Sequence, residues 1–206
     1  MTCIDVNTAN PDLIAVGYGE YDINCTHENQ LKQGLLCFWT LKNPKYPELY
    51  IKTEHSIVTC AYAKKKKNWI AIGDSHGNIE IYDVMKCVKT GDKTPIATSK
   101  DVENKHNDIV WEIQWVLRDN GEERLVSVSG DGRVIEWSLK KGLELTELYQ
   151  LKRETNPNHK DVYAGADVEK KTGAMSFINT GGLSIDFPDD NQGINYFTAT
   201  EDCTIL

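Results

Sequence analysis

Apolar and polar residues alternate with a period of two in several short runs, as in Asn78-Ile79-Glu80-Ile81-Tyr82 and Ile113-Gln114-Trp115. That spacing puts the apolar side chains on one face of an extended chain. The runs are rich in Val, Ile, Tyr, Trp and Thr, which suit a half-buried pleated surface. Helix is poorly supported by the pattern. Asp74-Ser75-His76-Gly77 and Gly130-Asp131-Gly132 separate paired runs and supply Gly where a hairpin turn needs a positive φ. The chain is therefore expected to be all-β.

The runs recur in order. Unit one reads Cys3-Ile4-Asp5-Val6, Leu13-Ile14-Ala15-Val16-Gly17 and Leu35-Leu36-Cys37-Phe38-Trp39. Unit two reads Val58-Thr59-Cys60-Ala61-Tyr62-Ala63, Trp69-Ile70-Ala71-Ile72-Gly73 and Asn78-Ile79-Glu80-Ile81-Tyr82. Unit three reads Val110-Trp111-Glu112-Ile113-Gln114-Trp115, Arg124-Leu125-Val126-Ser127-Val128-Ser129 and Arg133-Val134-Ile135-Glu136-Trp137. A fourth begins with Leu183-Ser184-Ile185-Asp186-Phe187 and Tyr196-Phe197-Thr198-Ala199-Thr200. A further strand per unit is expected at 48–51, 94–98 and 145–151. The approximate units are 1–51, 52–98, 106–151 and 182–206. Ile4, Ala61, Ile113 and Ile185 are read as the same place in each, 57, 52 and 72 residues apart. Polar stretches at 20–33, 85–105 and 153–180 read as inserted loops.

Composition narrows the function. The chain has 206 residues, 40% hydrophobic and 26% charged, which excludes wholesale disorder. Its 23 Lys and Arg against 31 Asp and Glu leave a net charge of −8, which argues against a nucleic-acid binder driven by counterion release. No apolar run reaches membrane-helix length, so no membrane contact is expected. The N-terminus carries no basic region followed by an apolar core, so no secretory signal is read. The six cysteines are widely spaced and form no Cys-x-x-Cys pair, which suits reduced thiols rather than a disulfide or zinc framework. Asn24-Cys25-Thr26 fits a glycosylation sequon and is read as chance.

Enzyme chemistry finds little purchase. Gly17-Tyr18-Gly19 follows a strand, but Asp22 stands where a dinucleotide fingerprint needs its third Gly. Asp189-Asp190-Asn191-Gln192-Gly193 lacks the spacing and distal Glu of a calcium loop. The five histidines lie at least 20 residues apart, and no segment offers a phosphate cradle. No catalytic residue, cofactor or metal is expected.

The third unit resembles a WD repeat. His106-Asn107-Asp108-Ile109-Val110 matches the family's His-x-x-x-Val, and Ser129-Gly130-Asp131-Gly132-Arg133-Val134-Ile135-Glu136-Trp137 matches its Ser-x-Asp-Gly-x-Ile-x-x-Trp. The unit spacing exceeds the ~40–45 residues of a tight WD repeat, as inserted loops require. The resemblance implies a structural relay of His106, Ser129, Asp131 and Trp137 that locks its blade. The second unit departs from it, with His76 where Asp is expected, Tyr82 for Trp, and His55 one residue too near Val58. The implied fold is a partial WD-repeat β-propeller of about three four-stranded blades plus the start of a fourth, with open strand edges that are an aggregation hazard.

A narrower resemblance is to axonemal dynein intermediate chains. It rests on residues 10–19 (Asn-Pro-Asp-Leu-Ile-Ala-Val-Gly-Tyr-Gly) and on residues 34–48 with their Trp39-Thr40-Leu41-Lys42-Asn43-Pro44 and Tyr46-Pro47-Glu48. Val110-Trp111-Glu112-Ile113-Gln114-Trp115, Lys141-Gly142-Leu143, Leu151-Lys152-Arg153 and Ala199-Thr200-Glu201-Asp202-Cys203 continue it in the same order. The resemblance implies a non-catalytic scaffold in the cytoplasm and cytoskeleton, at the cilium or flagellum axoneme. Its partners would be the dynein heavy chain, the other intermediate chain and light chains of the arm. The family's light-chain-binding extension precedes the propeller and is expected to be missing here. A generic cytoplasmic WD-repeat adaptor is the alternative. Candidate contact residues are Asn43, Pro44, Tyr46, Pro47 and Glu48, where two prolines stiffen an aromatic loop, and Lys64, Lys65, Lys66 and Lys67, the one basic run. The insert at 153–180 is a third candidate. The lysines read as a solvated hairpin loop or as a contact for an acidic surface, such as a tubulin tail or a heavy-chain patch.

Overall fold

The computed structural model describes residues 1–19, 33–140, 142–154, 177–188 and 195–206. Four strands form the first antiparallel sheet: β1 (Cys3–Val6), β2 (Leu13–Tyr18), β3 (Gly34–Thr40) and β4 (Leu49–Thr53). The second holds β5 (Ile57–Tyr62), β6 (Trp69–Asp74), β7 (Ile79–Asp83) and, after helix α1 (Val84–Thr90), β8 (Ala97–Thr98). The third holds β9 (Val110–Leu117), β10 (Glu123–Ser129), β11 (Arg133–Ser138) and β12 (Glu144–Gln150). A two-stranded ribbon, β13 (Lys152–Glu154) with β14 (Phe177–Asn179), leads to a last pair, β15 (Gly182–Asp186) with β16 (Phe197–Thr200). Each sheet is a meander, and consecutive sheets stack face to face as blades around β1, β5, β9 and β15, the architecture of a partial propeller.

The core lies between blades. Leu36, Phe38 and Ile51 of the first meet Cys60, Tyr62, Ile70 and Ile72 of the second. Ile79 and Ile81 meet Ile113, Trp115 and Trp137 of the third, and Val126 and Val128 meet Ile185 of the fourth. Polar side chains on the inner strands fasten neighbours together as well. Asp5 accepts the Tyr62 amide at 2.6 Å, Trp115 Nε1 donates to the Ala61 carbonyl at 3.0 Å, and Glu112 accepts the Ile185 amide at 2.9 Å. The outer faces of the end blades leave apolar groups exposed: Ile4, Val6 and Tyr50 on the first, Leu183 and Phe197 on the fourth.

Three expectations need correction. The residue of unit two that shares a place with Ile113 and Ile185 is Cys60, not Ala61. Cys60 packs toward the preceding blade, whereas Ala61 packs toward the following one. In a strand a slip of one residue reverses the face. Second, the stretch 85–105 is not all loop. Asp83 caps α1 by accepting the Lys86 amide at 3.1 Å, Val84 and Cys87 bury one side, and Gly91 closes it with φ +72°. Seven residues are too short for a helical period to stand out in the sequence. Third, the outer strand of the second blade is only Ala97–Thr98. Most of the 153–180 insert, residues 20–32 with the sequon, and the whole aspartate-rich turn at 189–193 lie outside the described residues.

Candidate functional site

Two groups of residues matter here, at opposite ends of the blades. The first surrounds the β10–β11 turn. Gly132 has φ +77°, and a Cβ there would lie 2.6 Å from the Thr180 carbonyl. Gly77 repeats this in the second blade, with φ +77° and the His106 carbonyl where a Cβ would stand. Glycine thus lets each turn close and also lets the link to the next blade lie against it.

His106 reaches this turn from the β8–β9 link and is fully buried. Its Nδ1 lies 3.2 Å from Asp131, and its Nε2 lies 2.7 Å from the Ser127 hydroxyl. Trp137 Nε1 donates to that hydroxyl at 2.8 Å. The serine joining His106 to Trp137 is therefore Ser127, not Ser129. Ser129 belongs to the turn: it donates to the Asp108 carbonyl at 3.1 Å and accepts the Asp131 amide at 3.3 Å. A serine two residues before a turn aspartate bonds locally, which leaves Ser127, deeper on the same strand face, to meet the indole.

Burial opposes the charged form of Asp131. Hydrogen bonds from His106, the Asn107 amide and Arg133 more than offset it and hold the carboxyl well below the usual carboxylate range. Burial also lowers the His106 pKa, against the pull of Asp131. A neutral ring with Nδ1–H donating to Asp131 and Nε2 accepting from Ser127 completes an unbroken chain of donors from Trp137 to Asp131. Both shifts act in one direction. The unfolded chain takes up a proton at His106 as pH falls through about 6.5, and the fold does not until lower pH. Asp131 adds a similar loss below its unfolded value. Urea midpoints are expected to fall as pH drops from 7 to 5, and His106→Gln to flatten that fall while lowering stability at pH 7.

The second blade has no such relay, because Ile72 occupies the place of Ser127. Tyr82 instead donates to Glu80 at 2.6 Å, and Lys100 bridges Glu80 and Glu54 at 3.1 and 2.8 Å. Asp74 organises the turn by accepting the His76 and Asn78 amides, both at 2.8 Å, and His76 stacks on His55 with ring centres 3.9 Å apart. In the fourth blade the same place is Thr198. Its hydroxyl is buried with no hydrogen-bond partner among the described residues.

The second group gathers at the other end. The meander puts the β1–β2, β3–β4, β5–β6 and β9–β10 connections together, and hydrogen bonds tie them. Asn7 Nδ2 donates to the Lys67 carbonyl at 2.6 Å, and the Leu41 amide to the Asp12 carbonyl at 3.3 Å. Both named sets of contact residues, Asn43, Pro44, Tyr46, Pro47 and Glu48 with Lys64, Lys65, Lys66 and Lys67, therefore share one end. Tyr46 is 72% exposed on a loop closed by Asn43 N to Thr40 O at 3.2 Å and Glu48 N to Phe38 O at 2.8 Å. The four lysines are exposed. Glu123, an ordinary strand-end carboxylate when read along the chain, reaches from the third blade to accept the amides of Lys64, Lys65 and Lys66 in the second.

Over 202 residues, 95% of its length, the chain is 33% identical to dynein axonemal intermediate chain 4 of Mus musculus. It belongs to the axonemal dynein intermediate chain family. The zebrafish (Danio rerio) dynein axonemal intermediate chain 4 is 36% identical over 157 residues, or 74% of this chain. The ciliary dynein intermediate chain 2 of Heliocidaris crassispina is 30% identical over 159 residues, 76% of the chain. The chain spans about a fifth of the length of these relatives: 23%, 19% and 21%. No family model matches it. Among solved structures, Sqt1 from Chaetomium thermophilum superposes with TM-score 0.65 at 15% identity, covering 98% of this chain and 41% of that one. The Dos1 propeller gives TM-score 0.52 at 14% identity, covering 73% and 33%. These likenesses place the dynein intermediate chain segment in a propeller fold. Among the described residues no group of three or more His, Cys, Asp or Glu gathers as a metal site, and no helix is long and apolar enough to cross a membrane.

Proposed function

We propose that this chain is a non-catalytic scaffold segment of an axonemal dynein arm, and that the end of its blades carrying Tyr46 and the four lysines docks on a dynein heavy chain. Family membership supports the assembly. The observation that carries the docking face is the exposure of Tyr46 on a loop fixed at both ends and bearing Pro44 and Pro47. A rigid aromatic that loses little entropy on contact is the residue type interfaces favour. The relay at the other end serves rigidity: it holds the blade that positions the docking connections, and it uses up its own polar groups internally. The site of action is the axoneme of a cilium or flagellum. Capture of the tagged chain from ciliated cells is expected to recover axonemal heavy chains. Recovery of other partners without them would favour a general cytoplasmic adaptor and overturn the reading.

A further inference from the structure

We propose that the turn at 64–67, together with the cleft it walls between the second and third blades, binds an acidic peptide segment of a partner protein. The backbone of this turn is already an anion cradle. Three successive amides, of Lys64, Lys65 and Lys66, point at the Glu123 carboxylate, at 2.5, 2.8 and 3.2 Å. Further bonds pin it: Trp69 N donates to Lys66 O at 2.7 Å and Asn7 Nδ2 to Lys67 O at 2.6 Å. The lysines thus project from a fixed backbone rather than a loose loop. Lys66 Nζ sits 3.5 Å from the centre of the Trp69 ring, and Lys65 Nζ donates to the Gly121 carbonyl at 2.8 Å.

The cleft beside them, about 260 Å³, is lined by Lys65, Lys66, Trp69, Arg124 and Lys140. Its acids are already engaged. Glu123 faces the three amides, and Glu122 is bridged by Arg124 at 2.7 Å and Lys140 at 2.8 Å. Those pairs also engage Arg124 and Lys140, so the positive excess rests on Lys65 and Lys66 in the cleft and on the exposed Lys64 and Lys67 beside it, on a chain of net charge −8. Such local reversal of sign steers an acidic partner to one place and repels it elsewhere. An extended peptide can set its carboxylates on the lysines and an apolar side chain against Trp69. This deepens the docking proposal by naming the partner's chemistry, and it rests on that proposal only for the partner's identity.

The test uses the 206-residue chain and a fluorescent deca-glutamate peptide, read by anisotropy. Wild type is expected to bind at low salt and to weaken as salt rises. Lys64→Glu, Lys65→Glu and Lys67→Glu together are expected to weaken binding by about tenfold or more, whereas Lys42→Glu, Lys52→Glu and Lys89→Glu change it by less than about threefold. Glu123→Gln separates a built site from diffuse attraction. It removes a negative charge, so diffuse attraction would tighten binding. A preorganised turn instead loses its anchor and binds severalfold weaker, with faster amide exchange at 64–66. The proposal is overturned if wild type does not bind, if the two triple variants weaken it equally, or if Glu123→Gln tightens it. Peptide binding can fail while heavy chain is still captured, so the two readings fall separately.

Discussion

Trp137→Ala is expected to cost about 3–5 kcal/mol, the range for deleting a buried large aromatic. Trp137 is fully buried and packs among Leu125, Ile135 and the inward residues of the second blade. Its removal opens a cavity between two blades and leaves the Ser127 hydroxyl without its donor. Against a typical domain stability of about 5–15 kcal/mol, such a loss removes a third or more of the total for most of that range and all but unfolds a domain at its lower end. Trp137→Phe keeps most of the volume and loses the indole N–H, so about 1–2 kcal/mol is expected. Urea unfolding followed by circular dichroism checks both. Equal stability of wild type and Trp137→Ala would mean that the third blade is not packed as described.

Ser127→Ala is expected to destabilise by about 2–3 kcal/mol, because it leaves two buried groups, Trp137 Nε1 and His106 Nε2, without a partner. Ser129→Ala removes only turn bonds of 3.1 and 3.3 Å and is expected to cost about 1 kcal/mol or less. The order of the two urea midpoints is the decisive readout. If Ser129→Ala proves the more damaging, the hydroxyl of the relay has been assigned to the wrong residue.

That pair of serines shows where sequence stops being informative. Period-two alternation revealed the strands, since each blade buries a face. Turn chemistry located Gly77 and Gly132, since positive φ leaves few residue choices. Ser127 and Ser129, however, lie on the same strand face with one residue between them, and alternation cannot separate them. Cross-strand register does, because it places Ser127 opposite Ile113 and Ile135 and within reach of the indole. Cys60 and Ala61 are neighbours on opposite faces, but both are small and apolar, so alternation does not tell which of them faces the preceding blade. Glu123 was hidden for another reason. It lies 57–59 residues from the amides it receives, and a carboxylate on a strand end looks like an ordinary solvated charge until the neighbouring blade is in place.

In the proposed arrangement one end of the blades faces the heavy chain while the other secures the third blade. Lysines mark both ends. Lys45, Lys64, Lys65 and Lys67 lie at the proposed docking end, and Lys100 and Lys105 lie at the end of the relay, where Lys105 donates to the His76 carbonyl at 3.1 Å. Amine-reactive crosslinking of assembled axonemal arms, followed by mass spectrometry of the linked peptides, distinguishes them directly. Crosslinks from Lys45 and the 64–67 run to dynein heavy chain are expected, with Lys100 and Lys105 unlinked to it. Heavy-chain crosslinks confined to Lys100 and Lys105 would contradict the account.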